Sequence, residues 1–209
     1  MISLKIMRPL LLSFVCISSL AGKNILLEFN GSYFLPTNST FKKIYHGGAL
    51  FGPELTMQLF DDKQLYVFTG INYFQKKGKS IGLCYPTTVK LIPFVFGLKY
   101  LLPTFYNHVD FYAGLGFQAV SARIKNCTPT GPNNQFITSS SASEWGFGGI
   151  LKMGAYFHLP RNFFIHTFIG YSFVRVGNNN CACLNANGST PTKTNISGAI
   201  FGAGLGYRF

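Results

Sequence analysis

The chain has 209 residues, only 11% of them charged, and its 18 Lys and Arg against 6 Asp and Glu leave a formal net charge of +12. This length suits one domain, but soluble domains carry about a quarter charged residues, and too few are present here to coat a surface in water. Twenty-two Phe, eleven Tyr and 23 Gly occupy the remaining share.

Lys5 and Arg8 form a basic start, residues 9–20 a short apolar run, and Ser19-Leu20-Ala21 offers small residues for cleavage. This reads as a secretory signal over 1–21, cut before Gly22, with the mature domain at 22–209. Cys16 follows Phe14 and Val15, not the small residues that a lipoprotein acylation site requires. No later apolar run reaches the 18 residues of a spanning helix. An exported chain of this kind is either released or built into an outer membrane as a barrel.

In chain order, period-two alternation places strands at 25–35, 48–60, 65–75, 88–101, 109–122, 144–158, 163–176 and 196–209. The fifth is the clearest. Val109, Phe111, Ala113, Leu115, Phe117 and Ala119 share one face, and Asp110, Tyr112, Gly114, Gly116 and Gln118 the other. Pro53 and Pro93 fall inside strands, where a missing N–H weakens local pairing. The connections 61–64, 102–108 and 159–162 are short, whereas 36–47, 75–87, 123–143 and 177–195 are long and rich in Asn, Ser, Thr, Gly and Pro. Short and long connections alternate, as in barrels with tight periplasmic turns and larger outer loops. The expected fold is all-β: an eight-stranded antiparallel up-and-down transmembrane barrel with periplasmic termini.

Alternation alone leaves open which face is outside, since a secreted lipocalin-like soluble barrel alternates with its apolar face inward. The non-apolar face here is mostly Gly and small polar groups, with little Lys or Glu to hold water. Aromatics gather near strand ends (Tyr33, Phe34, Tyr73, Phe74, Trp145, Phe157, Phe163, Phe164, Tyr207, Phe209), like the girdles at bilayer interfaces. The final strand carries Leu205 and Tyr207 on one face and ends on the aromatic Phe209. It resembles the C-terminal recognition strand of bacterial outer-membrane barrels, and 92–100 (IPFVFGLKY) is similar to a mid-chain strand in them. The mature chain resembles the small OmpA-like, OmpX-like and OmpW-like barrels. That resemblance implies insertion by the barrel-assembly machinery through Leu205, Tyr207 and Phe209. It names no substrate, because such barrels serve as anchors, adhesins, evasion factors or small-solute channels.

The inward phase carries Glu28, Glu54 and Asp110 with Lys99, Lys152 and Arg208. An eight-stranded barrel is just wide enough for side chains to fill, so these acids and bases are expected to form an ion-pair plug. An acid/base pair or a narrow ion path is the functional alternative. His46, His108, His158 and His166 lack metal-ligand spacing, and no Ser/His/Asp arrangement can be assembled, so neither a cofactor nor an enzyme is expected. Gly202, Gly204 and Gly206 lie on one strand face with no helix after them, and are expected to relieve crowding inside the barrel. Cys84, Cys127, Cys181 and Cys183 fall in the long loops. Four cysteines in an exported protein suggest two disulfides, from Cys84 and Cys127 to Cys181 and Cys183 in either pairing. A four-thiolate zinc site and intermolecular cross-links are the alternatives. The loops and flanks hold Lys42, Lys43, Lys76, Lys77, Lys79, Arg123, Lys125, Arg175 and Lys193, with Glu144 the one acid at their edge. Expected partners are therefore outer-membrane lipid, lipopolysaccharide phosphates and acidic glycans, and not nucleic acid. The overall reading is a surface-interaction or structural barrel in the bacterial outer membrane, with an OmpW-like small-solute channel as its rival.

Overall fold

The computed structural model describes residues 24–60, 64–79, 86–102, 108–129, 136–176 and 194–209, with backbone alone for 126–129 and 136–142. The described strands are β1 (Ile25–Pro36), β2 (Gly48–Gln58), β3 (Leu65–Ile71), β4 (Tyr73–Lys79), β5 (Pro86–Leu102), β6 (Val109–Pro129), β7 (Phe136–His158), β8 (Phe163–Val176), β9 (Thr194–Asn195) and β10 (Gly198–Arg208). All pairings are antiparallel. β3 and β4 are one stave interrupted at Asn72, since both lie between β2 and β5. β9 and β10 both pair with β8 and form the last stave. β1 pairs with β2 on one side and β10 on the other, so eight staves close into a barrel.

Both prolines sit where the sheet can accommodate them. Pro53 pairs with Phe29 of β1, and Pro93 with Val120 of β6. On their other sides the ladders stop at Gly70 (to β2) or Ile71 (to β5) and resume at Tyr73 or Phe74. The missing donors therefore fall in the interval around Asn72, whose N–H donates to Pro93 O at 2.9 Å. The backbones also close in there. A Cβ on Gly52 would lie 1.9 Å from Ile71 O and 2.8 Å from Asn72 Cα, so β2 needs glycine at this point.

Two expected loops are largely strand. β6 runs to Pro129 and β7 begins at Phe136, while β4 continues to Lys79 and β5 begins at Pro86. Turn-like composition misled here because Thr and Ile fit a pleated sheet well. Thr87, read as loop, is buried in step with Val89 and Leu91 of the expected strand. A third loop holds a short helix, α1 (Ser39–Tyr45), whose N-cap Asn38 accepts from Phe41 N–H at 3.0 Å. Phe41 and Tyr45 are buried with their rings 4.9 Å apart, and α1 packs on β1 and β4. The Tyr45 hydroxyl meets Thr87 Oγ1 at 3.0 Å, and burial pushes its phenol up from the ordinary value. At the opposite end, Arg161 and Asn162 take positive φ (62° and 63°) in the tight turn between β7 and β8, the backbone that joins twisted hairpin strands. No described helix is long and apolar enough to cross a membrane.

The apolar face is outside. Phe117 is 79% exposed, Phe147 70% and Leu115 62%, the reverse of a lipocalin, whose apolar residues turn inward. Ordinary monomers in water expose only small apolar patches, whereas this surface circles the whole barrel. Aromatics flank it at both ends, with Tyr33, Phe51 and Trp145 toward α1 and Phe111, Phe163 and Phe209 toward the short turns.

Candidate functional site

The lumen is filled in layers, each set by inward positions of the staves. Toward the short-turn end, Glu28 of β1, Glu54 of β2, Lys99 of β5 and Lys152 of β7 converge. Lys99 Nζ lies 3.2 Å from Glu28 Oε1 and 2.6 Å from Glu54 Oε1, and Lys152 pairs with Glu54 Oε2. Two acids meet two bases, all buried. Paired charges of this kind need further polar partners, because desolvating each ion costs several kcal/mol. The partners are present. Lys99 donates to Tyr156 Oη at 2.8 Å and Thr56 Oγ1 at 3.1 Å, and Tyr156 donates to Glu28 Oε1 at 2.9 Å.

Aromatic rings complete this layer. Lys99 Nζ is 5.0 Å from the Tyr112 ring centre and 5.3 Å from that of Phe68, and Lys152 Nζ is 5.0 Å from that of Phe168. Ring faces attract a cation more strongly once water is excluded, so the cage offsets part of the desolvation. His166 stacks between Tyr156 and Phe168 and donates from Nε2 to Asn30 Oδ1 at 2.6 Å. A Cβ on Gly204 would lie 2.3 Å from His166 Nε2 and 2.4 Å from Asn30 Oδ1, so this glycine makes room for the pair.

Asp110 and Arg208 stand apart from the other four expected ions. They form a separate, partly exposed cluster at the short-turn rim. His158 Nε2 is 2.6 Å from Asp110 Oδ2, and Arg208 Nη2 is 3.8 Å from it. Above the ion layer, toward α1, Ser172 donates to Gln118 Oε1 at 2.6 Å. An apolar layer of Phe34, Leu50, Phe74, Leu91, Val120, Val174 and Ile200 follows. The space left among them is about 20 Å³, room for about one water. Phe41 and Tyr45 of α1 join the same apolar cluster.

Sequence reasoning missed Thr56, Tyr156 and the aromatic cage, and gave the inward His166 no role. Their signal was the inward phase itself, which already placed Tyr112 beside Asp110 on one face. The upper apolar layer was missed for another reason: Phe34 and Phe74 were expected among the aromatics at the bilayer interface, whereas both are buried in the lumen.

The described basic residues form a collar at the α1 end, most of them on strands that run beyond their expected ends or flank them. Lys42 and Lys43 are exposed on α1. Lys77 and Lys79 project from β4, Arg123 and Lys125 from β6, and Arg175 from β8. Lys76 takes the inward phase of β4, with its Cδ near Gly48. Lys90, unassigned in the sequence, joins the outward set because Gln75 and Arg123 are its cross-strand partners. Glu144 pairs with the inward Ala122. Lys193, Cys84, Cys181, Cys183 and the signal segment lie outside the described residues, as does the Cys127 side chain. At the closing seam Leu205 and Phe209 face outward, and Tyr207 packs on Phe163 and Phe209 with ring centres 5.1 and 4.9 Å apart. Among the described residues no group of His, Cys, Asp and Glu is arranged to hold a metal ion.

A closed antiparallel barrel of eight staves, apolar outside and packed with side chains inside, is the architecture of the small outer-membrane barrels, and the chain has that fold. Solved structures match it across nearly its whole length. A major outer membrane protein from Thermus thermophilus aligns with a TM-score of 0.57 at 11% identity, covering 90% of this chain and all of that one. The Escherichia coli outer membrane protein W aligns at 0.52 and 15% identity, covering 89% and 97%. The Neisserial surface protein A aligns at 0.50 and 14% identity, covering 90% and 98%. No family model matches the chain, and no curated protein does.

Proposed function

We propose that the protein is an integral barrel of the bacterial outer membrane with a structural or surface-interaction role, its lumen closed and its termini periplasmic. The observation that carries this reading is the double seal: the caged ion layer, and above it an apolar layer with space for about one water. Neither layer offers a solute a polar path, and the buried Glu, Lys, Tyr and His reach no substrate. The collar of Lys42, Lys43, Lys77, Lys79, Lys90, Arg123 and Lys125 would then face the cell exterior and attract anionic surfaces, through forces screened over about 8 Å at physiological salt. Insertion would use the barrel-assembly machinery, with Leu205, Tyr207 and Phe209 presented on the last stave.

The test is conductance of the refolded barrel in planar bilayers. No stable steps are expected from the wild type. None are expected from Lys152→Ala either, because the layer around Phe34, Leu50 and Phe74 remains. Large, stable wild-type steps would replace this reading with a solute channel. Retention on a sulfated polysaccharide column should fall with salt, and fall further in a Lys42, Lys43, Lys77 and Lys79 to Gln variant. Equal retention of that variant would remove the collar from the reading.

A further inference from the structure

On the outward face of β4, β5 and β6 the collar is a compact ladder. Lys90 is registered directly opposite Arg123, and Thr88 lies between Lys77 and Lys125. Directly paired residues have Cβ atoms about 4.5–5.5 Å apart, and like charges so placed repel. Arg123 and Lys125 also share one face of β6, two residues apart. Among the described residues, the outward positions of these strands hold no acid to neutralise them. Such a cluster is stable where an anion is held against it.

Four residues along the same strands, about 13 Å at 3.3 Å per residue, lies a groove of about 600 Å³. Ala119 is in its floor, flanked across the strands by Phe94 and Phe147, while Phe96 and Phe117 are paired just below. The two Phe pairs leave a slot over the small alanine, open on the side away from the lumen. Its volume lies within the range of small-molecule sites, about 300–1,000 Å³. Trp145 stacks on Phe94 at 6.0 Å between ring centres and stands on the collar side of the groove. The order along the barrel is thus cations, an amphipathic ring, then an apolar slot, which is the order of groups in an anionic lipid.

We infer that this face binds one phosphorylated lipid of the surrounding leaflet, its phosphate between Lys90, Arg123 and Lys125 and an acyl chain over Ala119. The inference rests on the membrane orientation proposed above, which makes that leaflet the outer one and the lipid a lipid A. The occupant follows from charge complementarity. A polysaccharide would satisfy the ladder but leave the slot empty, and a neutral lipid would fill the slot but leave the cations unpaired.

Native mass spectrometry of the detergent-purified barrel, titrated with diphosphoryl lipid A, tests this. One lipid A per wild-type barrel is expected, with phosphatidylcholine unable to displace it. Lys90→Gln combined with Arg123→Gln should weaken binding at least tenfold. Ala119→Trp should do the same by filling the slot with every cation intact, while a cold SDS gel shows both variants folded. Equal binding of lipid A and phosphatidylcholine, or no effect of Lys90→Gln with Arg123→Gln, overturns the site. Loss in the charge variant with full binding by Ala119→Trp also overturns it, leaving only the general polyanion attraction. If polysaccharide retention is absent while one lipid A stays bound, the collar's proposed role fails and the lipid site stands.

Discussion

Lys99→Met is expected to destabilise the folded barrel by about 3–5 kcal/mol, the cost of removing one partner from a buried ion pair. The loss falls on Glu28, whose Oε1 has Lys99 as its ammonium partner at 3.2 Å, whereas Glu54 keeps Lys152. Tyr156 and Thr56 still donate to Glu28, but hydroxyls carry no net charge. The measurement is the urea midpoint of the barrel in lipid vesicles, followed by the fast-migrating band on cold gels. Adding Glu28→Gln to Lys99→Met should recover much of the loss, since it removes the stranded charge. A midpoint unchanged by Lys99→Met would show that this layer contributes nothing to stability. A double variant no better than the single would place the effect in packing against Phe68 and Tyr112.

Gly52→Val is expected to be more severe still, and to abolish assembly of the folded species. Its Cβ would sit 1.9 Å from Ile71 O and 2.9 Å from Ile71 C, backbone atoms that no rotamer change can move. β2 would have to part from its neighbour beside Pro53 and Pro93, where the ladder is already interrupted. Losses above about 4–5 kcal/mol are exceptional for single substitutions and have mechanisms of this kind. Gly31→Val is the control, because a Cβ there meets only Ala203 O, at 4.0 Å. Equal yields of heat-modifiable Gly52→Val and wild-type protein would refute the close approach.

The strands were legible where one face repeats every second residue. Residues 109–119 gave the start of β6 and its phase, though not its end at Pro129, and the inward set Glu28, Glu54, Lys99 and Lys152 followed from phase alone. Which of those ions touch was not legible. Phase gives direction but not height along the barrel, so Asp110 and Arg208 could not be told from the central four. Strand ends were obscured by composition: Thr87 looks like a turn residue until its partners Gly78 on β4 and Asn126 on β6 are known. Lys90 shows the cost of that error, because a lysine near a supposed strand start attracts no notice until Arg123 appears opposite it. The helix α1 was hidden for a simpler reason. Seven residues are too few for a helical period to stand out, and the burial of Phe41 and Tyr45 depends on the barrel rim beneath them.

The seam between β1 and β10 governs how the molecule can come into being. Leu26 is registered with Arg208 and Pro36 with Gly198, so the first stave has no second neighbour until the last has been made and delivered. Hairpins can form locally from neighbouring segments, but the cylinder closes through a contact that spans nearly the whole described chain, the kind of pairing that slows folding. Until that moment β1 and β10 each present an unsatisfied edge, open to a strand of another chain. The unclosed sheet is thus the hazardous species in this protein's life. Productive assembly requires that both edges stay apart from other chains until they meet each other.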